Sequence, residues 1–393
     1  TQHRLEHAEV ETIAVLILTL EAKDPYVRGH SRRVAKRSLA IAKEMGLSKE
    51  RQAIINRSGI LHDLGKLAIE DEILKKPGKL TDEEWFVMKQ HPAMQVTWVT
   101  SPLEANLVRL LKGVEVLEYD KKTGFTGLLA LRSALKSQTF DVLLHLQWSF
   151  RASVVSRMIK AKRRIGFALS HSREKQHWFV NEQAPEPQGE HVLDSFLSIA
   201  SVLGVTQPSL PCELALPDVP LELPERYVVV NPSASKTERN WTIEGYQAVL
   251  DYVIVKGLCP VITGGPSATE ATFAQSVIAG RSEQVINLVG KTPLDLMLAV
   301  LKKAELVVSP DTGPAHMATL VGTPVLGIYA HSNPQRTGPY KDLDKVVSVY
   351  EALVVKEYQK PVSELPWSTR VHDPKAMQHI RIEQVLAKLD TLI

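Results

Sequence analysis

The sequence is poor in cysteine and in aromatic residues, and it has no excess of either charge. Its two cysteines, Cys212 and Cys259, cannot form a disulfide framework and lack the paired spacing of a metal-binding motif. No secretory leader pattern is present, so a reducing, cytoplasmic setting is expected. Lys and Arg total 47 against 44 Asp and Glu, and a formal charge of +3 gives no field that argues for a nucleic-acid partner. Long apolar runs are missing too. Val10 to Leu20 is interrupted by polar residues and falls short of the ~20 needed to span a bilayer. No internal repeat or low-complexity tract occurs. Residue 1 is Thr, which suggests a start inside a longer protein or an artificial one.

What remains is 393 residues with 44% hydrophobic and 23% charged side chains, enough for two or three domains with cores of their own. Up to about Gln95 the pattern is helical, with apolar residues at three and four spacing in Ile13 to Leu20, Val34 to Ile41 and Ile54 to Leu61. Gly29 and Gly46 stand where helix ends are expected, and Thr81 with Glu84 has the form of a capping box. After Pro102 short Val/Leu/Ile-rich strands (Gly113–Asp120, Phe140–Gln147, Arg164–Ala168) alternate with amphipathic stretches, Leu128–Ser137 and Ala152–Lys162. That alternation predicts a parallel sheet with helices on its faces.

Five prolines between Thr206 and Glu225 mark an extended connector. A second α/β unit follows, with strands at Tyr227–Asn231, Pro260–Thr263, Val285–Leu288, Leu306–Ser309 and Val325–Tyr329. Helices are expected to open near Thr242, Ala268, Pro293 and Pro314. In such doubly wound sheets ligands bind at the carboxyl ends of the strands. The expected domains are 1–98 (helical), 103–205 (α/β), 206–225 (linker) and 226–393 (α/β).

In the helical part, His62 and Asp63 adjoin, and His30 and His91 could add imidazoles to a divalent metal. A helix-capping role is the bland alternative for each. The wording around them, RGHSRRVA, ILHDLGKLAI, ILKKPGKLTDEEW and MKQHP in order, resembles the HD-GYP family of cyclic di-GMP phosphodiesterases over roughly residues 8–95. The resemblance implies metal ligands at His62, Asp63 and His91, an additional histidine at His30 and a phosphate contact at Lys66. The family's later His-His-Glu and Asp-Gly-Gly-Tyr-Pro stretches do not follow. A partial site holding a divalent metal such as Mn or Fe weakly is therefore expected, with little hydrolase activity.

In the second α/β unit, Ser309-Pro310-Asp311-Thr312-Gly313-Pro314-Ala315-His316 reads as a strand end opening a helix, where free amides and the Thr312 hydroxyl suit an anion. Asn231-Pro232-Ser233-Ala234-Ser235-Lys236, with Arg239 and Trp241 beyond it, puts small residues and one ammonium after another strand. Thr263-Gly264-Gly265-Pro266 with Glu270 is a third such loop, its carboxylate placed to accept bonds from a ribose. A capped turn is the plain alternative for any one of them. Three on consecutive strand ends converge on one crevice.

The stretch DTGPAHMATLVGTPVLGIYAHSNPQRTGPY resembles glycosyltransferase family 9, the lipopolysaccharide heptosyltransferases, and the resemblance extends over roughly residues 103–393. It implies a GT-B pair of Rossmann-like domains, ADP-L-glycero-D-manno-heptose as donor and a lipopolysaccharide inner-core acceptor. Inversion at the anomeric carbon without an obligatory metal is implied as well. Donor contacts are implied at Ser233, Lys236, Glu270, Asp311, Thr312, Gly313, Pro314 and His316. The family's base aspartate follows its opening strand, and the opening βαβ unit is expected to be missing here, its place taken by the HD-GYP-like segment. Both resemblances break between Met94 and Glu104, which predicts a fusion with impaired transfer. The alternatives are an incomplete cyclic di-GMP phosphohydrolase and a non-catalytic nucleotide-sugar-binding protein. A lipid-linked acceptor implies transient contact with the inner membrane, to which Lys160–Arg164 could contribute charge, unless that cluster is only a solvated helix end.

Overall fold

The computed structural model describes residues 30–61, 95–205, 207 and 210–393, in two compact units that divide at Val96 and Thr97. The first unit contains α1 (His30–Glu44) and α2 (Lys49–Leu61), packed against each other. Ala35 and Ala42, seven residues apart on α1, are buried. Gly46 ends α1 at φ +67, with Gly46 N bonded to Lys43 O and Leu47 N to Ala42 O. A left-handed glycine satisfies the last carbonyls in this way at little steric cost. The expected helix at Ile13 to Leu20 and the capping box at Thr81 lie outside the described residues.

The second unit begins with β1 (Val96–Thr100), α3 (Pro102–Val108), β2 (Val114–Glu118), α4 (Gly124–Ala134), β3 (Phe140–Leu144) and α5 (Phe150–Arg157). It continues with β4 (Ala161–Gly166), β5 (Glu182–Gln183) and α6 (Val192–Ser201). Beyond the proline-rich connector come β6 (Tyr227–Val230), α7 (Ile243–Val255), β7 (Cys259–Ile262), α8 (Ala268–Ile278), β8 (Ile286–Asn287), α9 (Leu294–Lys303), β9 (Leu306–Pro310) and α10 (Gly313–Val321). The chain ends with β10 (Val325–Tyr329), α11 (Pro334–Thr337), β11 (Val346–Ser348), α12 (Tyr350–Tyr358) and α13 (Ile382–Asp390).

The C-terminal sheet is parallel throughout, in the order β11-β10-β9-β6-β7-β8. Every residue of β6, β9 and β10 is buried, as expected for continuous apolar strands covered by helices on both faces. The connector is seated rather than loose. Leu214, Leu216, Leu221 and Leu223 pack on the core under this sheet, and Ala215 N bonds Leu110 O.

The N-terminal half of the unit differs from the sequence reading in one respect. β1 lies ahead of the expected boundary at 103 and pairs with β2, so a strand of the supposedly missing opening unit is present. It escapes a reading by texture because only five residues, VTWVT, separate the helical region from Pro102. β1 and β2 form a two-stranded sheet, while β3, β4 and β5 form a separate parallel one. Val99 of β1, Leu117 of β2 and Phe140 and Leu143 of β3 nevertheless share one core with Leu131 and Leu135 of α4.

The basic run at Lys160–Arg164 is neither a helix end nor a free cationic patch. It opens β4, where Lys162 pairs with Asp141 at 2.6 Å and Arg163 grips Glu182 with two bonds of 2.8 and 2.7 Å. Arg164 is buried and donates to Ser156 O and Ile159 O.

Candidate functional site

The loops after β6, β9 and β10 are tied together at Asp311. Arg239 Nη1 lies 3.2 Å from Asp311 Oδ2 and donates to Asp311 O at 3.1 Å, and Ser332 Oγ donates to the same carboxylate oxygen. Both partners of the ion pair are largely shielded, with side chains 16% and 12% exposed, so water weakens the pair little. His331 adds a second tie, its ring nitrogens 2.9 Å from Glu238 O and 3.0 Å from Val371 O. The loop carrying Lys236 and the loop carrying Thr312 thus stand side by side on adjacent, hydrogen-bonded strands.

Within that frame, Ser233 is buried, and its carbonyl accepts a 2.8 Å bond from Asn231 Nδ2, which shapes the turn. Lys236 is exposed, with only Glu238 near its ammonium at 3.9 Å. Trp241 does not close a pocket. It is 2% exposed and donates from Nε1 to Ile380 O, so it anchors the loop to the core. Thr312 caps α10 with extended backbone and makes no side-chain capping bond, which leaves its hydroxyl uncommitted. Pro314 stands in the first turn of α10. A Cβ built on Gly313 would meet nothing within 4 Å, so the helix start faces open space. Free amides, a helix dipole and a nearby ammonium are the elements of an anion cradle.

Glu270 has a different duty from the one its position suggests. Its carboxylate accepts from Gly265 N at 2.7 Å and from Ser267 Oγ at 3.1 Å, while Ser267 Oγ accepts from Glu270 N. It closes the capping box of α8 and holds the Gly264-Gly265 turn. His316 is solvent-accessible but walled closely by its neighbours. Desolvation pulls its imidazole below the ordinary 6.5, Asp311 opposes that pull, and His191 reinforces it.

The two halves of the α/β unit meet across this region through residues the sequence did not single out. His191 caps α6 by accepting from Leu193 N at Nδ1, and its Nε2 lies 2.9 Å from Gly338 O, a pattern that fixes the neutral ring with its proton on Nε2. Burial lowers its pKa. Tyr340 donates to Asp194 at 2.8 Å, and Trp367 Nε1 donates to Glu190 O at 2.7 Å. Two guanidiniums lie against the Trp367 ring, Arg336 at 4.2 Å and Arg173 at 5.4 Å from its centroid. Burial, then Arg173 and Arg370, lower the Arg336 pKa, and its Nε is buried without a partner among the described residues. Like charges held together without carboxylate partners favour an anionic ligand.

The profile of glycosyltransferase family 9 (heptosyltransferase) matches residues 128–367. The chain belongs to glycosyltransferase family 9. It is 38% identical over 313 residues to the lipopolysaccharide core heptosyltransferase OpsX of Haemophilus influenzae, covering 78% of this chain and 90% of that protein. The E. coli heptosyltransferase WaaC, solved with ADP, superposes with a TM-score of 0.60 at 18% identity, covering 77% of this chain and 91% of that one. The family's GT-B arrangement of two Rossmann-like domains is the fold seen here.

An HD domain profile matches residues 27–108. The cyclic di-GMP phosphodiesterase response regulator RpfG of Xanthomonas campestris is 39% identical over 92 residues, which span about a quarter of its length (24%). Two family segments therefore meet in one chain. The HD match runs on through β1 and α3, which the structure joins to the heptosyltransferase-like unit by the β1–β2 pairing and by Leu107 and Leu110 in its core. His30 opens α1, and His62, Asp63, Lys66 and His91 lie outside the described residues. No helix among the described residues is long and apolar enough to cross a membrane.

Proposed function

We propose that the α/β unit binds ADP-L-glycero-D-manno-heptose at the C-terminal strand ends and transfers the heptosyl group, with inversion, to a lipopolysaccharide inner-core acceptor. One observation carries this reading: Asp311 gathers three strand-end loops around an open helix start with an ammonium beside it. Lys236, the Thr312 hydroxyl and the Gly313 amide hold the diphosphate and stabilise the charge that develops as it departs. His316 and Asp311 orient the loop and the sugar. Ser233 shapes the turn against the nucleotide, and Glu270 holds the loop that faces the nucleoside. Arg173, Arg336 and Arg370 receive anionic groups of the acceptor, and the protein works at the inner-membrane surface where that lipid-linked acceptor resides.

Transfer is slow in this reading. An acceptor hydroxyl needs a base, and the family resemblance puts that base in the loop after an opening strand that no described residue supplies. The helical unit contributes at most a partial metal site at His62, Asp63 and His91. Titration calorimetry with ADP-heptose, paired with a transfer assay on a truncated inner-core acceptor, tests the reading. It expects donor binding that Lys236→Ala and Thr312→Ala each weaken, with turnover far below that of a complete heptosyltransferase. Absence of binding, or binding indifferent to both substitutions, overturns the donor site. Full turnover overturns the impairment.

A further inference from the structure

The two halves of the α/β unit follow the same strand plan, and the C-terminal half shows what the N-terminal half lacks. Numbered from its own start, the C-terminal sheet runs 6-5-4-1-2-3, with its first strand, β6, at the centre between the second (β7) and the fourth (β9). In the N-terminal half, β1 and β2 take the places of strands two and three, and β3, β4 and β5 those of four, five and six. The break between its two sheets falls where a central first strand belongs. The burial pattern agrees. β6 is buried at all four residues, whereas β1 and β3, the strands flanking the break, have no fully buried residue. Trp98 on β1 is 39% exposed.

We infer that the gap between β1 and β3 is a receptor for a parallel β-strand supplied by a second polypeptide, namely the opening strand–loop–helix segment of a heptosyltransferase-type Rossmann domain. The occupant's chemistry follows from the walls. Val96, Trp98 and Thr100 on one side and Phe140, Val142 and Leu144 on the other carry no charge, so the entering strand is uncharged, apolar on both faces and about five residues long like its neighbours. Its ladder partners are available. Thr100 O accepts from Tyr119 N on β2, and alternation along a strand turns the amides of Thr97 and Val99 to the opposite side, toward the gap. The shared core of Val99, Leu117, Phe140, Leu143 and α4 holds the two sheets together while the position stays open.

The test uses the full chain and a fluorescent synthetic peptide spanning the opening strand, loop and helix of the H. influenzae heptosyltransferase, with a sequence-scrambled peptide as control. Saturable binding of the native peptide alone is expected, together with at least about tenfold slower hydrogen exchange at Thr97, Val99 and β3 amides. Thr97→Pro removes one donor on the gap side without touching the β2 ladder, and about a tenfold loss of affinity is expected, against less than about twofold for Thr97→Ala. If Thr97→Pro does not fold, the exchange footprint on the unaltered chain decides. No binding, or a footprint elsewhere, overturns the proposal. So does protection of Thr97 and Val99 before peptide is added, which would show that this chain or a second copy already fills the place. Peptide binding is read without donor or acceptor, so its failure and that of the transferase reading are separate results.

Discussion

Arg239 and Asp311 stand on neighbouring strand-end loops and hold each other twice, once through the carboxylate at 3.2 Å and once through the Asp311 carbonyl at 3.1 Å. Ser332 takes the same carboxylate from a third loop. Asp311 thus works as a clasp whose partners come from the loops after β6 and β10.

Opening the clasp should loosen the donor site without unfolding the sheet beneath it. Arg239→Ala leaves the shielded Asp311 carboxylate without its cation, and a broken pair of this kind costs roughly 3–5 kcal/mol. Asp311→Asn keeps the bond from Ser332 and costs less. Calorimetry should show ADP-heptose affinity reduced more by Arg239→Ala than by Asp311→Asn, with coupling between them in the double variant. Additive effects would show that the two residues do not act as one unit.

The diphosphate contact predicts a distinct salt response. Lys236 is exposed, so its attraction for the donor is screened as ionic strength rises. Affinity should fall between 50 and 300 mM salt, roughly, in the unaltered protein and change little in Lys236→Ala. Glu238→Gln, which removes the carboxylate 3.9 Å from that ammonium, should bind slightly tighter. Parallel salt slopes in all three proteins would place Lys236 outside the site.

Three imidazoles predict a loss of stability in mild acid. Burial lowers the pKa of His145, His191 and His316 from the ordinary 6.5. His145 is held neutral between Ser153 Oγ at 3.1 Å and the Gln176 amide at 3.0 Å. The unfolded chain then binds protons more readily than the folded one. Stability from these groups is complete above about pH 6.5 and is lost as pH falls from there toward the lowered folded values. Thermal unfolding from pH 8 to pH 5 should show this decline, and His191→Asn, which keeps a capping side chain but cannot titrate, should flatten it. An unchanged slope in that variant would remove His191 from the account.

Arg336 should matter to the acceptor and not to the donor. Its guanidinium lies against Trp367, crowded by Arg173 and Arg370, and its buried Nε has no partner among the described residues. Arg336→Gln relieves like-charge repulsion, so the unfolding temperature should hold or rise while the KM for a phosphorylated inner-core acceptor increases about tenfold or more. A matching loss of donor affinity would move Arg336 into the nucleotide site.

How much of this was legible in the sequence depends on how local the signal is. β10 was read to the residue and β6 to within one, because continuous Val and Ile runs bounded by turn residues admit little else. Strand-end loops rich in Gly, Pro and Ser located Ser233, Lys236 and Thr312. Long-range partners were not legible. Nothing local to Arg336 or His191 announces that Trp367 or Gly338 will meet it. Glu270 shows the converse, since a polar residue near a Gly-Gly turn looks like a ligand group until its bonds to Gly265 and Ser267 are seen. β1 was missed because five residues beside a helical region carry too short a pattern to establish a period of two.

Gly245 offers a packing test of how the Lys236 loop is anchored. It lies in the first turn of α7, and an added Cβ would come within 2.7 Å of three ring atoms of Trp241. That ring cannot give way: it is 2% exposed, tied to Ile380 O, and set edge-on to buried Tyr246 at 5.5 Å. Alanine favours helix over glycine by about 1 kcal/mol, yet overpacking of a closed core costs roughly 1–3 kcal/mol. The clash should win. Gly245→Ala is expected to lower the unfolding temperature of the α/β unit by several degrees and, by pushing Trp241, to shift the loop from Asn231 to Asn240 and weaken donor binding. A variant at least as stable as the parent would mean that Trp241 has room to move, and the loop would then owe its position to the Asp311 clasp rather than to the core beneath it.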